Sequence, residues 1–246
     1  MSNFTKEAEI VLRSRYLIKD DKGNPLETPD AMLSRVAMSI ALAEVDARAV
    51  KVWYNEFLGI MDSLDFLPNS PTLMNAGKFE GQLAACFVLP VEDDLAAIFE
   101  AVKQVALIHK TGGGTGISFN KLRPNGSLVQ TTKGVASGVV SFMSVFNQAT
   151  EVIKQGGVRR GANMGILNVS HPEIFDFVRC KQDGKSFQNF NISVSVTDNF
   201  MKAVEADANY PLRNPYNGER TYIKARQLFN DICHQAWLTG DPGMVF

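Results

Sequence analysis

Beyond residue 83, short apolar runs alternate with longer stretches of helical period, and this alternation constrains the fold more than any other feature of the 246 residues. Runs at 83–90, 116–119, 164–169, 191–196 and 244–246 have strand length and composition. Helical stretches at 95–110, 138–154, after Pro172, after Thr197 and at 224–238 separate them. Strand–helix–strand order requires a parallel sheet, because parallel neighbours need a long crossover rather than a tight turn. Five strands are expected, each parallel to the last. Ser170 and Thr197 are expected as N-caps, Pro172 in a first turn, and Tyr216-Asn217-Gly218-Glu219 as a tight turn. The chain stops on apolar residues inside the fifth strand, which leaves an unpaired edge and suggests an incomplete barrel.

Residues 4–64 read differently, as helices, with Met32, Val36, Met38, Ile40 and Leu42 on one segment and Val52, Trp53, Phe57 and Leu58 on the next. Pro68 and Pro71 then break the period. The expected division is a helical region at 1–67 and an α/β domain at 68–246. A hydrophobic content of 45% suffices for a core, while a formal net charge of −1 with mixed signs creates no field for a nucleic-acid polymer or an anionic membrane. No apolar run approaches the roughly 18 residues of a membrane span. Glu7 and Glu9 occupy the stretch where a signal peptide needs an apolar core, so the cytoplasm is expected. Cys86, Cys180 and Cys233 are odd in number and widely spaced, and His109, His171 and His234 fit no ligand pattern. This is neither a disulfide scaffold nor an evident metal site.

Two glycine clusters, Thr111-Gly112-Gly113-Gly114-Thr115-Gly116 and Gln155-Gly156-Gly157-Val158-Arg159-Arg160-Gly161, flank a helical stretch. Consecutive glycines let backbone N–H groups converge on an anion, though they also make flexible turns. Arg123, Arg159 and Arg160 nearby favour the anion. The first cluster lacks the Gly-Lys-Ser/Thr ending of a P-loop. Cys86, in Ala84-Ala85-Cys86-Phe87-Val88-Leu89, has no adjacent base and reads locally as a small buried hydrophobe. Asp93 and Asp94 open a helix, where capping is the ordinary role and a ribose hydroxyl or a cation is the alternative partner of Asp93. Arg123 either meets phosphate or stands in solvent. Ser70 and Thr72 can offer hydroxyls to phosphate or to the local backbone, and neither reading wins locally. His109, near a helix C-terminus, reads as structural, favouring the dipole when protonated.

Taken in order, Leu67-Pro68-Asn69-Ser70-Pro71-Thr72-Leu73-Met74-Asn75-Ala76-Gly77, Ala85-Cys86-Phe87-Val88-Leu89-Pro90 and the two glycine clusters resemble the large subunit of ribonucleotide reductase, above all the adenosylcobalamin-dependent class II type. The similarity runs from Arg15-Tyr16-Leu17 to Thr239-Gly240-Asp241-Pro242-Gly243. It implies an α/β fold, a helical N-terminal region followed by the first five-stranded half of a ten-stranded α/β barrel. It implies that Ser70 and Thr72, with the backbone around Ala85, Gly113 and Gly114, hold the substrate diphosphate. Cys86 would be one of two cysteines that supply reducing electrons. Asp93 and Arg123 would contact the ribose and phosphates of a deoxynucleoside triphosphate effector, and residues 155–164, with Gln155 and Arg159, would link that effector to the substrate base.

The family's Asn-x-Cys-x-Glu segment, the partner of Cys86 and the C-terminal reducing tail are absent, and neither Cys180 nor Cys233 lies in a matching context. Alone, the chain is expected not to turn over a ribonucleoside di- or triphosphate. The resemblance implies adenosylcobalamin in the complete enzyme, a complementing C-terminal half carrying the radical cysteine, and a homodimer through the helices at 95–110 and 138–154. The alternative is a non-catalytic deoxynucleotide-binding regulator derived from the same fold.

Overall fold

The computed structural model describes residues 4–79, 81–128, 134–153 and 161–246. They form two compact units, the first comprising Met1–Ala85 with Thr111–Gly113, the second most of the remainder.

The first unit is helical: α1 (Lys6–Arg15), α2 (Pro29–Ala41), α3 (Ala47–Asp62) and α4 (Ser70–Asn75). Each start is fixed by a short polar side chain that accepts an otherwise unpaired N–H: Thr5 from Ala8, Thr28 from Ala31, Asp46 from Arg48 and Ala49, Asn69 from Thr72. Met32, Leu33, Val36 and Ala37 recur at helical spacing on α2 and pack with Leu12, Leu17, Met61, Leu73 and Ala76. Met38 and Leu42 fall off that stripe and are exposed. Leu67 lies between α3 and α4, and α4 contributes Leu73 to this core.

A half-buried ion pair ties the unit together. Arg35 on α2 donates from Nε to Glu27 Oε2 at 2.9 Å and from Nη2 to Glu27 Oε1 at 2.8 Å. It also reaches the carbonyls of Leu73 and Ala76 in α4 and its C-cap, while Glu27 accepts the Ile18 N–H at 2.9 Å. One guanidinium thus joins three segments distant in sequence.

The second unit contains β1 (Cys86–Leu89), α5 (Leu95–Lys110), β2 (Gly114–Ser118), α6 (Val139–Val152), β3 (Asn163–Asn168), α7 (Ile174–Arg179), β4 (Phe190–Ser195), α8 (Asp198–Glu205), β5 (Asn209–Arg213), β6 (Arg220–Lys224), α9 (Ala225–Thr239) and β7 (Gly243–Val245). The order β1-β2-β3-β4-β7 makes a sheet in which every pairing is parallel. A helical region followed by a five-stranded parallel sheet is the architecture expected for half of an α/β barrel. The core joins Ile117, Phe119, Leu167, Phe190, Ile192 and Val194 from the sheet side to Val105, Phe146, Phe177, Phe200 and Leu228 from the helices. Gly165 on β3 is part of this packing, since a Cβ there would lie 3.2 Å from the Phe190 ring and 3.3 Å from the Phe119 ring.

Two local expectations change. β5 and β6 form an antiparallel hairpin across the expected turn, where no strand was anticipated. Ser170 does not cap α7: its N–H and hydroxyl both go to Asn168 Oδ1, and the helix begins only at Ile174. Thr197 does cap α8, accepting the Phe200 N–H at 3.2 Å.

Arg35→Met should cost the helical unit about 3–5 kcal/mol, because it leaves the Glu27 carboxylate buried without its partner, and Arg35→Lys should restore little of that loss. Urea unfolding of the variants measures both. Burial pushes the Glu27 carboxyl up, but the Arg35 and Ile18 hydrogen bonds outweigh it and hold the group below its ordinary value of 4.5. A depressed carboxyl stabilises the fold above its unfolded-state value and loses that contribution as pH falls through the folded-state value. Acid titration of wild type should therefore show a loss below about pH 4.5 that Glu27→Gln lacks.

Candidate nucleotide site

Parallel strands gather all their N-terminal ends at one side of a sheet and all their C-terminal ends at the other. Cys86 opens β1 at the first side, in register with Gly114, and its thiol is exposed, contrary to the local reading of a buried hydrophobe. Beside it a buried polar ladder crosses the strands. The Thr115 hydroxyl donates to Asn163 Oδ1 at 2.6 Å, Asn163 Nδ2 donates to Thr150 Oγ1 at 2.9 Å, and the Thr150 hydroxyl donates to the Phe146 carbonyl at 2.8 Å. His109 closes this ladder, with Nε2 3.3 Å from Thr115 Oγ1. Burial pushes the imidazole below its ordinary value, against a weaker opposing pull from the Ala162 backbone. The ring is therefore neutral at pH 7, and its place in this buried ladder is the structural one read from the sequence. Gly161 lies against it, and a Cβ there would fall 2.7 Å from His109 Nδ1.

At the opposite side, the two aspartates after β1 divide their work. Asp94 caps α5, accepting the Ala97 N–H at 2.9 Å. Asp93 turns to the loop after β2, where Oδ2 accepts from Arg123 Nε at 2.6 Å and Oδ1 accepts the Arg123 backbone N–H at 3.1 Å. The Tyr216 ring, from the β5–β6 turn, lies 4.0 Å beneath the guanidinium carbon. Arg123 is thus a held guanidinium rather than a solvated one.

Beyond Arg123 the chain runs out and back as a ribbon, with Leu128 bridged to Val135 and with Gly126 and Ala136 hydrogen-bonded at its base. Buried Glu173 closes the root, accepting the N–H of Val139 at 2.7 Å and that of Asn125. Burial pushes its carboxyl up, against those two hydrogen bonds. A cavity of about 830 Å³ opens beside the root, lined by Glu173, Asp176, Tyr216, Asn217 and Glu219 among others and, among the described residues, by no lysine or arginine. Such a lining repels phosphate.

In the first unit, the Ser70 hydroxyl shares a hydrogen bond with Tyr16 at 2.9 Å. The Thr72 hydroxyl is buried and lies 2.9 Å from the Leu83 carbonyl and 3.1 Å from Asn69 Oδ1, so the local-backbone use is realised. Asn75 Nδ2 bonds the carbonyls of Gln82 and Thr111. Those bonds bring α4, the approach to Ala85 and the turn at Gly112 and buried Gly113 into one neighbourhood; Gly112 has φ +89°. Gly114 opens β2. Gln155 and Arg159 lie outside the described residues. Burial pushes the Cys180 thiol up to about 12, and Cys233 is exposed on α9.

Sequence reasoning missed Glu173 and Tyr216. Glu173 follows a proline at a helix start, where a carboxylate ordinarily serves its own helix. Tyr216 sits in a turn whose composition already explained itself.

Comparison with known proteins is consistent with this geometry. Residues 84–246 match the family model described as ribonucleotide reductase, barrel domain, and residues 2–81 match ribonucleotide reductase, all-alpha domain. The chain is 43% identical over 301 aligned residues to the vitamin B12-dependent ribonucleoside-diphosphate reductase of Thermoplasma acidophilum, covering 98% of the chain and 39% of that protein. It is 46% identical over 243 residues to the enzyme of the same name from Mycobacterium tuberculosis, covering 97% of the chain and 35% of the relative. A ribonucleoside-diphosphate reductase large subunit from monkeypox virus is 30% identical over 264 residues, covering 96% of the chain and 33% of its own length. The chain therefore spans between about a third and two fifths of these relatives, and with both family models aligned along it in sequence order it belongs to the ribonucleotide reductase family.

Proposed function

We propose that this chain supplies the substrate-phosphate contacts, one redox cysteine and the effector site of a vitamin B12-dependent ribonucleoside-diphosphate reductase. The observation that carries the reading is the placement of an exposed Cys86 and a held Arg123 at opposite ends of the same two parallel strands. β1 alone separates the ends by about 10 Å.

In the net reaction, the 2′-hydroxyl of a ribonucleotide leaves as water while two cysteine thiols are oxidised to a disulfide, supplying the two electrons and two protons. Cys86 is one of those thiols. Ser70, Thr72 and the backbone around Ala85, Gly113 and Gly114 hold the substrate phosphates, with Thr72 exchanging a backbone partner for phosphate. Asp93 orients Arg123 toward the effector phosphates, and Gln155 and Arg159 belong to the segment linking effector and substrate. Radical initiation is the chemistry that adenosylcobalamin would supply in the complete enzyme. The described residues do not fit a corrin: those lining the 830 Å³ cavity include Glu173, Asp176 and Glu219 and no imidazole, and both ring nitrogens of buried His171 are hydrogen-bonded to protein.

Exposed Leu95, Phe99 and Leu107 on α5 and Val152 on α6 give the apolar surface for a homodimer. A second polypeptide segment must bring the radical cysteine and the partner of Cys86. Among the described residues no helix is long and apolar enough to cross a membrane.

Cys86→Ser in the complete enzyme should abolish multiple turnover with a protein dithiol reductant while leaving deoxynucleotide affinity within twofold of wild type. Sustained turnover by that variant overturns the redox role. Arg123→Ala should weaken binding of dTTP to the 246-residue chain by about 10–100-fold, the range of a charge-assisted hydrogen bond. Titration calorimetry decides it, and equal affinity for variant and wild type removes Arg123 from the effector site.

A further inference from the structure

We propose that His171 and Glu173 form a clamp that positions Arg123 and the root of the adjoining ribbon, making Glu173 a positioning residue for effector binding. The inference rests on the reading of Asp93 and Arg123 as effector contacts. It starts from a carboxylate in an unexpected place. Glu173 occupies the N-cap position of α7 but makes no side-chain cap bond to that helix. It is only 8% exposed, and its side chain instead accepts two N–H groups from elsewhere, Val139 at the start of α6 and Asn125 two residues beyond Arg123.

His171 completes the arrangement. Its Nδ1 accepts the Glu173 backbone N–H at 3.1 Å, which leaves Nε2 to donate to the Leu122 carbonyl at 2.8 Å. Leu122, Arg123 and Asn125 are therefore each gripped by a different side chain: His171 on the Leu122 carbonyl, Asp93 on the Arg123 N–H and Glu173 on the Asn125 N–H. The backbone on both sides of Arg123 is fixed independently of the guanidinium itself. Gly138 records how closely the clamp is fitted, since φ is +83° and a Cβ would lie 2.2 Å from Glu173 Oε1 and 2.8 Å from the Asn125 nitrogen. Only a residue without a side chain lets Glu173 reach both legs of the ribbon.

A carboxylate can accept at both oxygens, whereas a carboxamide keeps one acceptor and aims an NH₂ at the second N–H. Glu173→Gln therefore opens one leg while preserving shape. Titrating dTTP into the 246-residue chain, at temperatures where circular dichroism shows each variant fully folded, should give about tenfold weaker binding for Glu173→Gln, the loss of one charge-assisted hydrogen bond's worth of positioning. A lower melting temperature with unchanged dTTP affinity overturns the clamp, because a merely structural role acts on folding alone. If Glu173→Gln does not fold, hydrogen exchange on wild type replaces it. Bound dTTP should then slow exchange at the Asn125 and Val139 amides, and unaltered exchange there overturns the inference. Arg123→Ala run in parallel separates the two readings. If wild type fails to bind dTTP, or the Arg123 variant binds as well as wild type, the effector site itself falls and the clamp with it. If the Arg123 variant loses binding and Glu173→Gln keeps it, only the clamp falls.

Discussion

Two parallel strands cannot be joined by a tight turn, and most of this molecule's organisation follows from that restriction. Each strand from β1 to β4 needs a crossover that returns the chain to its starting end, so helices alternate with strands and loops collect at two opposite sides. Burial alternates along β2 and β3, as it does where helices cover one face of a sheet, and Ile117, Leu167, Phe190 and Val194 are buried on the covered side. The polar residues that matter are displaced to the strand ends. Cys86, Thr115 and Asn163 sit at one end, and Asp93, Arg123, His171 and Glu173 lie in loops beyond the other.

At that second end the important quantity is the orientation of Arg123 rather than its charge. A solvated arginine gives up side-chain freedom when it meets an anion, whereas this one has surrendered most of it already to Asp93 and the Tyr216 ring. The Asp93–Arg123 pair is partly exposed, at 23% and 17%, so its own contribution to stability is modest. Its consequence is preorganisation, with the guanidinium aimed before any ligand arrives. The neighbouring cavity carries Glu173, Asp176 and Glu219 among its described lining residues, a charge unfavourable to phosphate in the space beside Tyr216.

The strand–helix alternation was legible because it is a local property: the apolar runs and their lengths located the five parallel strands, and the α5 helix was placed from Leu95 to Lys110 as observed. The β5–β6 hairpin was not legible, since Pro211 lies inside β5 and proline argues against a strand until an edge position is known. Ser170 looked like a cap because serine before a proline usually is one, but Asn168, two residues earlier, captured both its donors. The site divided the same way. Asp93 and Arg123 could be nominated singly, but their pairing spans 30 residues, and the bond from Val139 to Glu173 spans 34. No local pattern encodes such a distance. Cys86 was misjudged locally because an apolar neighbourhood in sequence does not say which face of an edge strand is covered; β1 alternates between exposed and half-buried, and the cysteine falls on the exposed face.

Helix α6 connects these observations across the second unit. Its first residue, Val139, is held by Glu173, and near its other end Thr150 is bonded into the ladder that runs through Asn163 to Thr115 and His109. At 14 residues it is about 21 Å long, a length over which a packed helix moves as a body rather than bending freely. A ligand that changes how Glu173 grips the ribbon therefore acts on the same rigid element whose far end borders residues 154–160 and the strand starts near Cys86. On the proposed reading, coupling of this kind is reciprocal: whatever free energy an effector at Arg123 contributed to the arrangement at the Cys86 end, a ligand there would return to the effector. The polar ladder fits that role because its hydrogen bonds are specific in direction, so Thr115, Asn163 and Thr150 hold one register of α6 against the sheet where an apolar contact would let it slide.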